Sequence, residues 1–308
     1  MSAGWVAAPV RARGLIRRRL GDTAIRAMAG CPSVADALTI AAASPYGRDI
    51  RTDMDLVEAE RALFAVVLWH LRVLAGWGPP MSGESMRALA AGFEIANVRA
   101  HLAHLDGRAA PEPYELGSMS TAWPSLSRTE SVAALRAALG ASIWGDPGTD
   151  DAAGIVVAMQ LVWAKRVLDA VPGAGEWAAA GAALVLAKVL AAGAISALSP
   201  LALRQADRLF GPAWAESTSL PDLRRRLPRP ARPALDEVEG PEHLWHAEAR
   251  WWTTLGASGA QHVRGAVTDE STWVGAAAVL AADAWRARAA LEVADRGGRA
   301  GALANALA

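Results

Sequence analysis

Four polar side chains share one stripe of a predicted helix and have the chemistry of metal ligands or of a contact surface. Glu94, Asn97, His101 and His104 stand at i, i+3, i+7 and i+10 in the stretch GFEIANVRAHLAHLDGR. On a helix of 3.6 residues per turn these positions fall on one face. Imidazoles and carboxylates are ligands that zinc and other transition metals accept. The stripe is therefore either part of a metal site or the polar face of a helix that contacts something else.

A second pair of histidines has the same spacing. His243 and His246 occur in PEHLWHAEARWW, with Glu248 close behind. Residues at i and i+3 are neighbours on a helix, so each H-x-x-H pair could chelate an ion.

The complete motifs of known metal sites are missing. No H-E-x-x-H occurs, and Glu94 is followed three residues later by Asn97 rather than by the histidine of carboxylate-bridged bundles. We predict no metal and no cofactor. The alternative that remains is a soluble all-helical metalloenzyme that uses His101/His104 and His243/His246.

Other catalytic signatures are also missing from the sequence. It contains no G-x-x-x-x-G-K-[ST] phosphate loop, no G-x-G-x-x-G and no G-x-S-x-G. Cys31 is the only cysteine, which excludes an internal disulfide and a multi-cysteine zinc site and fits a reducing cytoplasm. The formal net charge of zero gives no broad footprint for nucleic acid. We predict a protein without catalytic residues.

The elements that must position these residues are helices. Hydrophobic residues make up 53% of the 308-residue chain, enough for large cores, and alternating strand patterns are scarce. Gly- and Pro-rich breaks separate the helical stretches. The Pro-rich segment 221–241 is predicted to be an extended surface connection, with a short helix at its start as the alternative. Long helices are predicted at 55–76, 83–105, 154–171, 175–197, 242–257 and 271–295.

One apolar stretch has the length of a membrane span. Residues 177–200 are mostly Ala and Gly, and Lys188 lies near the middle. A central lysine costs about 2.5–3.5 kcal/mol on insertion scales, so we predict a buried helix of a soluble protein instead. The N-terminal stretch lacks an apolar core of useful length, and we expect no signal peptide.

The chain contains an internal repeat. SVADALTIAAASPYG (33–47) and SVAALRAALGASIWG (131–145) share six of fifteen residues, and Tyr46 aligns with Trp144. A weaker third copy begins at Ser219, and each copy is followed by two long predicted helices. The pattern predicts an all-α fold of three similar helical-bundle domains, at 1–125, 126–216 and 217–308.

Several of these segments, in this order, resemble one protein family. The chain has an aromatic residue before an Arg-x-Arg helix start, in WVAAPVRAR, and a helix that ends in an aromatic-Gly turn. The acid-x-x-Asn helix EIANVRAHLAHLDGR follows, and the last helix contains Trp285 and Arg286. This order is similar to that of the central-stalk subunit called C in bacterial and archaeal V/A-type rotary ATPases and d in eukaryotic ones. The matching positions are Trp5, Arg11, Arg13, Tyr46, Gly47, Glu94, Asn97 and Gly107.

The resemblance implies both an architecture and a function. Members of the family have three similar domains around a pseudo-threefold axis, which form a funnel. They are non-catalytic rotor adapters that couple the central shaft (D/F-type subunits) to the membrane proteolipid ring (c/K-type) for ion transport. They bind no nucleotide and no nucleic acid, and they lie peripherally on the cytoplasmic face of the membrane. A helical scaffold unrelated to the ATPase is a third possibility beside the metalloenzyme.

Overall fold

All regular secondary structure among the described residues is helical, which confirms the predicted all-α class. The protein is represented by a computed structural model that describes residues 8–78, 80–265 and 269–298. The α-helices are α1 Ala8–Ile16, α2 Gly21–Ala29, α3 Val34–Ala42, α4 Leu56–Trp77, α5 Pro80–Leu105, α6 Trp123–Leu126, α7 Val132–Gly140, α8 Ala152–Ala170, α9 Gly175–Ala191, α10 Pro200–Phe210, α11 Leu220–Arg226, α12 Leu244–Arg264 and α13 Glu270–Asp295.

A serine caps the first helix of each repeat. Ser33, Ser131 and Ser219 have extended backbone, and each side chain accepts a hydrogen bond from the backbone N–H three residues later. This bond satisfies one of the N–H groups that a helix start leaves free. The three caps begin α3, α7 and α11, so the repeat is one of local structure as well as of sequence.

The long helices lie in the predicted segments, although α12 continues to Arg264, past the predicted end at 257, and α9 is shorter than predicted. α9 ends at Ala191 instead of continuing to 197, because Gly193 takes a left-handed conformation with φ +66°. Segment 221–241 begins in a short helix, α11, which is the alternative left open for its start, and it also contains a 3₁₀ turn at Arg232–Leu235. The proline at the first turn of each element has no N–H that needs a partner there.

No helix among the described residues could cross a membrane. None of them combines the length and the apolar character that a bilayer crossing requires, and this includes the Ala-rich α9.

The contacts divide the chain into two compact units. The contiguous unit comprises residues 84–251, and the discontinuous unit combines the segments 1–83 and 252–308. The division into three domains that the repeat predicts stays a prediction.

The centre of the discontinuous unit is α13. Buried side chains cover nearly all of its circumference, and it packs against α1, α2, α3 and α4. Nine of its nineteen buried residues are alanines, and short side chains allow neighbouring helices to approach closely. The closest approach is to α12, where a Cβ on Gly275 would lie 2.5 Å from the carbonyl oxygen of Gly259.

The core of the contiguous unit is built on α8 and α9. These helices pack against each other, α10 packs on α8, and α11 packs on α9. Large side chains from shorter elements complete the core, including the fully buried Leu135, Trp144 and Trp214. Burial of each large apolar side chain contributes about 1.5–3 kcal/mol to folding.

Candidate functional site

The turn after α3 inserts Tyr46 into the discontinuous unit. The Ser44 hydroxyl donates to the carbonyl of Ala41 (2.6 Å) and accepts from the Tyr46 N–H (3.1 Å). The Gly47 N–H donates to the Ser44 carbonyl, and a Cβ on Gly47 would lie 1.8 Å from the Ala42 carbonyl oxygen. Only glycine fits this turn, which leaves the tyrosine side chain fully buried.

Tyr46 reaches a buried carboxylate on α13. Its hydroxyl donates to Asp283 (3.1 Å), which also accepts from the backbone N–H groups of Leu20 (2.8 Å) and Gly21 (2.9 Å). Burial raises the pKa of Asp283 above its ordinary value, although these hydrogen bonds oppose the change. Burial beside this carboxylate also raises the pKa of Tyr46. The acid therefore joins α13 to the start of α2 and to the turn after α3.

The turn after α7 repeats this construction in the contiguous unit. The Ser142 hydroxyl donates to the carbonyl of Leu139 (2.8 Å) and accepts from the Trp144 N–H (3.1 Å). The Gly145 N–H donates back to the Ser142 carbonyl (3.3 Å), and Gly145 has a φ of +75°. The aligned aromatic residue is again buried, with 1% of Trp144 exposed.

Trp144 also reaches a buried carboxylate, in this case on α5. The indole N–H donates to Glu94 at 2.6 Å. Glu94 further accepts from the backbone N–H groups of Thr121 (2.8 Å) and Ala122 (3.0 Å) and from the Thr121 hydroxyl (2.8 Å). The guanidinium of Arg166 lies over the indole ring, 5.5 Å from its centroid, and burial lowers the pKa of Arg166. We call Tyr46–Asp283 and Trp144–Glu94 the two acid–aromatic junctions.

The raised pKa of Asp283 predicts a pH-dependent contribution to stability. The folded protein favours the neutral acid, so this contribution is fully present below pH 3.8 and is lost as the pH rises through the raised pKa. We expect the free energy of unfolding of the native protein, relative to that of Asp283→Asn, to fall as the pH rises above 3.8. Denaturant titrations at several pH values measure this difference, and a difference that rises with pH contradicts the prediction.

Asn97 and Gly107, both predicted site residues, organise the segment after α5. The Asn97 amide donates to the Tyr114 carbonyl (2.9 Å) and accepts from the Tyr114 N–H (2.6 Å), and only 1% of Asn97 is exposed. Gly107 ends the helix with φ +71°, and its N–H donates to the His104 carbonyl. Asn97 therefore supplies hydrogen-bond partners for the backbone of Tyr114, which lies in a segment without regular secondary structure.

Removal of this amide should cost stability without a change in charge. Asn97→Leu leaves the N–H and carbonyl of Tyr114 without their partner, and we expect a loss of about 1–3 kcal/mol in the free energy of unfolding. Chemical denaturation measures the loss. Asn97→Asp is a second variant: it keeps the acceptor for the N–H, but it replaces the donor to the carbonyl by an acceptor and buries a carboxylate, so it should not restore the lost stability.

The histidines of the two pairs contact neighbouring side chains and backbone. The His101 Nε2 lies 2.9 Å from the Thr129 hydroxyl, and its ring is stacked 6.4 Å from that of His104. Burial lowers the pKa of His101. His243 accepts from the Gly240 N–H (3.2 Å), and the ring of His246 lies 3.5 Å from that of Trp245. Within the described part of the chain, no three His, Cys, Asp or Glu side chains converge on one point.

A Trp–Gly contact occurs twice in the contiguous unit. The Trp163 ring on α8 covers Gly92 on α5, and its N–H donates to the carbonyl of Ala88, four residues earlier (2.7 Å). The Trp251 ring on α12 covers Gly181 on α9, and its N–H donates to the carbonyl of Trp177, again four residues earlier (3.1 Å). Glycine lets each indole lie directly on the helix. We call these the Trp–Gly contacts.

The remaining predicted residues lie elsewhere. Arg11 donates to the carbonyl of Trp77 (2.8 Å), and Arg13 makes a longer hydrogen bond, 3.4 Å, to the carbonyl of Val263. Trp5 lies outside the described residues. In the last helix, Trp285 stacks on Trp252 at 5.9 Å and Arg286 binds Asp22.

The sequence analysis missed Asp283 and both Trp–Gly contacts. The sequence distance is 237 residues for Tyr46 and Asp283 and 75 residues for Trp163 and the carbonyl it binds. The sequence did contain one signal for Asp283. It is an acid three residues before Arg286, and Glu94 precedes Asn97 by the same spacing. No protein-family model matches the chain, and no curated protein matches it.

Proposed function

We propose that this protein is a non-catalytic rotor adapter of a V/A-type ATPase, which couples the central shaft to the proteolipid ring. The observation that carries the proposal is the order in which the repeats contact one another. A pseudo-threefold funnel requires each repeat to pack on the preceding one, and the first repeat to pack on the last.

The short helices follow this order. The turn after α7, in the second repeat, binds α5 of the first repeat through Trp144 and Glu94. α11, in the third repeat, packs on α9 of the second. α3, in the first repeat, packs on α13 of the third, and Tyr46 binds Asp283 there. Each short helix or its turn thus contacts the second long helix of the preceding repeat, and the first repeat contacts the last.

The first long helices follow the same order. The Trp–Gly contacts join α8 to α5 and α12 to α9, and α4 packs along α13. Two independent sets of contacts therefore run from the first repeat to the second, the second to the third and the third to the first. This cyclic order supports three domains around a pseudo-threefold axis, the arrangement that the resemblance implies.

The acid–aromatic junctions suit a part that transmits torque. Each junction anchors an aromatic residue to a buried carboxylate that also binds backbone N–H groups from another segment. A slip between repeats would leave several buried polar groups without partners, which costs about 1–3 kcal/mol for each group. In this proposal the protein acts at the cytoplasmic face of the membrane through wide contacts. Stable interfaces of this kind bury about 1,200–2,000 Å² in total.

Purification of the tagged protein from membranes of the source cell tests the proposal. In mild detergent the proteolipid ring and the shaft subunits should be recovered with it, and cells that carry the tag alone provide the control. Deletion of the gene should uncouple ATP hydrolysis from ion pumping while hydrolysis by the soluble head continues. Recovery of neither ring nor shaft would overturn the adapter function.

A further inference from the structure

We infer that α1 and the C-terminal half of α4 form a surface that binds anionic lipid headgroups. We call it the α1 patch, and all of it lies in the discontinuous unit. It consists of Val10, Arg11, Arg13, Arg17, Arg18, Arg19, Trp69 and Trp77. The inference extends the membrane location of the proposed function to a direct contact with lipid, and it is tested without the ring or the shaft.

Charge in the α1 patch has one sign. Residues 8–21 contain five arginines and no Asp or Glu, although the whole chain has no net charge. All five arginines are exposed. The first carboxylate after this stretch, Asp22, is bound by Arg286 at 2.5 Å. The positive charge of the patch is therefore not neutralised by the stretch that carries it.

Two tryptophans hold the arginine run along α4. The Arg11 guanidinium lies 5.9 Å from the ring centroid of Trp77, and the Arg18 guanidinium lies 5.6 Å from that of Trp69. The two arginines are seven residues apart and the two tryptophans are eight residues apart. The first arginine contacts the second tryptophan, and the second arginine contacts the first tryptophan. α1 therefore begins beside the end of α4, and the chain after it runs back along that helix. The guanidinium groups are fixed over aromatic rings rather than paired with carboxylates.

Apolar side chains are exposed beside this charge. Ala12 and Leu15 fix the inner side of α1 in the core, whereas 73% of Val10 and 44% of Trp77 are exposed. Val10 and Gly14 stand at i and i+4 on the outer side of α1, and Arg17 follows directly after the helix. The side chains of Arg17 and Arg19 make no hydrogen bond and no ion pair closer than 4.0 Å among the described residues, although the charge of Arg19 lowers the pKa values of Asp22 and Asp283.

Arginine beside exposed Trp and Val fits the surface of an anionic membrane. Tryptophan favours the boundary between headgroups and acyl chains, and each cation near such a surface adds to the binding. A soluble polyanion would use the arginines but would leave Val10 and Trp77 in water. The combination therefore favours lipid over an acidic protein or nucleic acid.

Flotation with protein-free vesicles tests the inference. The purified full chain should float with vesicles of phosphatidylcholine mixed with phosphatidylglycerol, and not with phosphatidylcholine alone. High salt should weaken the binding because it screens the charge. Arg17→Gln with Arg19→Gln should lower the partition coefficient about 25-fold, since each arginine contributes roughly a factor of five.

Two further variants separate charge from apolar contact. Arg128→Gln with Arg229→Gln removes the same net charge from exposed positions outside the patch and should leave binding nearly unchanged. Val10→Asp should weaken flotation although this exposed side chain contributes nothing to the core. Circular dichroism verifies that each variant is folded.

Three results would overturn the inference: no flotation with either vesicle, equal flotation with both, or equal loss in the two double variants. If the protein floats with anionic vesicles but neither ring nor shaft is purified with it from membranes, the lipid-binding surface is supported and the adapter function is overturned. If ring and shaft are purified with it but it does not float, the adapter function is supported and the lipid-binding surface is overturned.

Discussion

Glu94→Ala should destabilise the contiguous unit by about 3–5 kcal/mol, one of the two largest effects that we expect. The carboxylate is 1% exposed and accepts hydrogen bonds from the Trp144 indole and from the backbone of Thr121 and Ala122. Alanine would leave the buried N–H groups of Trp144 and Ala122 without this acceptor. Denaturant unfolding followed by circular dichroism measures the change.

Two comparisons make this result specific to the junction. Glu94→Gln keeps one acceptor oxygen and the approximate volume, so it should recover part of the lost stability. Glu130→Ala removes an exposed carboxylate and should change the free energy of unfolding by less than about 0.5 kcal/mol. Equal stability of Glu94→Ala and Glu130→Ala would mean that the Glu94 hydrogen bonds are not formed.

Gly47→Ala should cost about 3 kcal/mol or more in the discontinuous unit. The added methyl group would lie 1.8 Å from the Ala42 carbonyl oxygen, a distance that no side-chain rotation relieves. The turn must open, and Tyr46 must then leave Asp283 or shift with the turn. Thermal or chemical unfolding measures the loss.

The matched control for this variant is Gly14→Ala in α1. A Cβ on Gly14 would meet nothing within 4 Å, and the residue lies inside a helix. The same glycine-to-alanine change should therefore stabilise the protein by about 0.5–1 kcal/mol. Destabilisation by both variants would show that added volume at the turn is not the cause.

Local structure was predictable because local residues determine it. Ser33 and Ser131 cap their helices through atoms three residues away, and the Ser-aromatic-Gly turns close through bonds within four residues. These features depend on spacing along the chain, which the repeat displays. The all-α class was predictable for the same reason, since the helical spacing of apolar residues and the Gly- and Pro-rich breaks between helices are local signals.

The partners of the buried groups were not predictable in this way. The spacing of Glu94, Asn97 and His101 shows that they share a helix face, and a shared face does not fix what each side chain binds. Asn97 binds the backbone of a loop, His101 binds Thr129, and Glu94 binds an indole fifty residues away. Such choices depend on how the helices pack, which residue spacing along one helix does not specify.

The division of the chain into a contiguous and a discontinuous unit sets an order for folding during synthesis. Residues 84–251 form contacts among themselves, so this unit can fold once its last residue has left the ribosome. The helices α1, α2, α3 and α4 pack on α13, which is translated about 200 residues after α4. Until then Tyr46 has no Asp283 to bind, and the apolar faces of α2, α3 and α4 remain uncovered. The segment that contains these helices is thus made before residues 84–251 but reaches its native packing after them, and its apolar surface stays exposed for longer during synthesis.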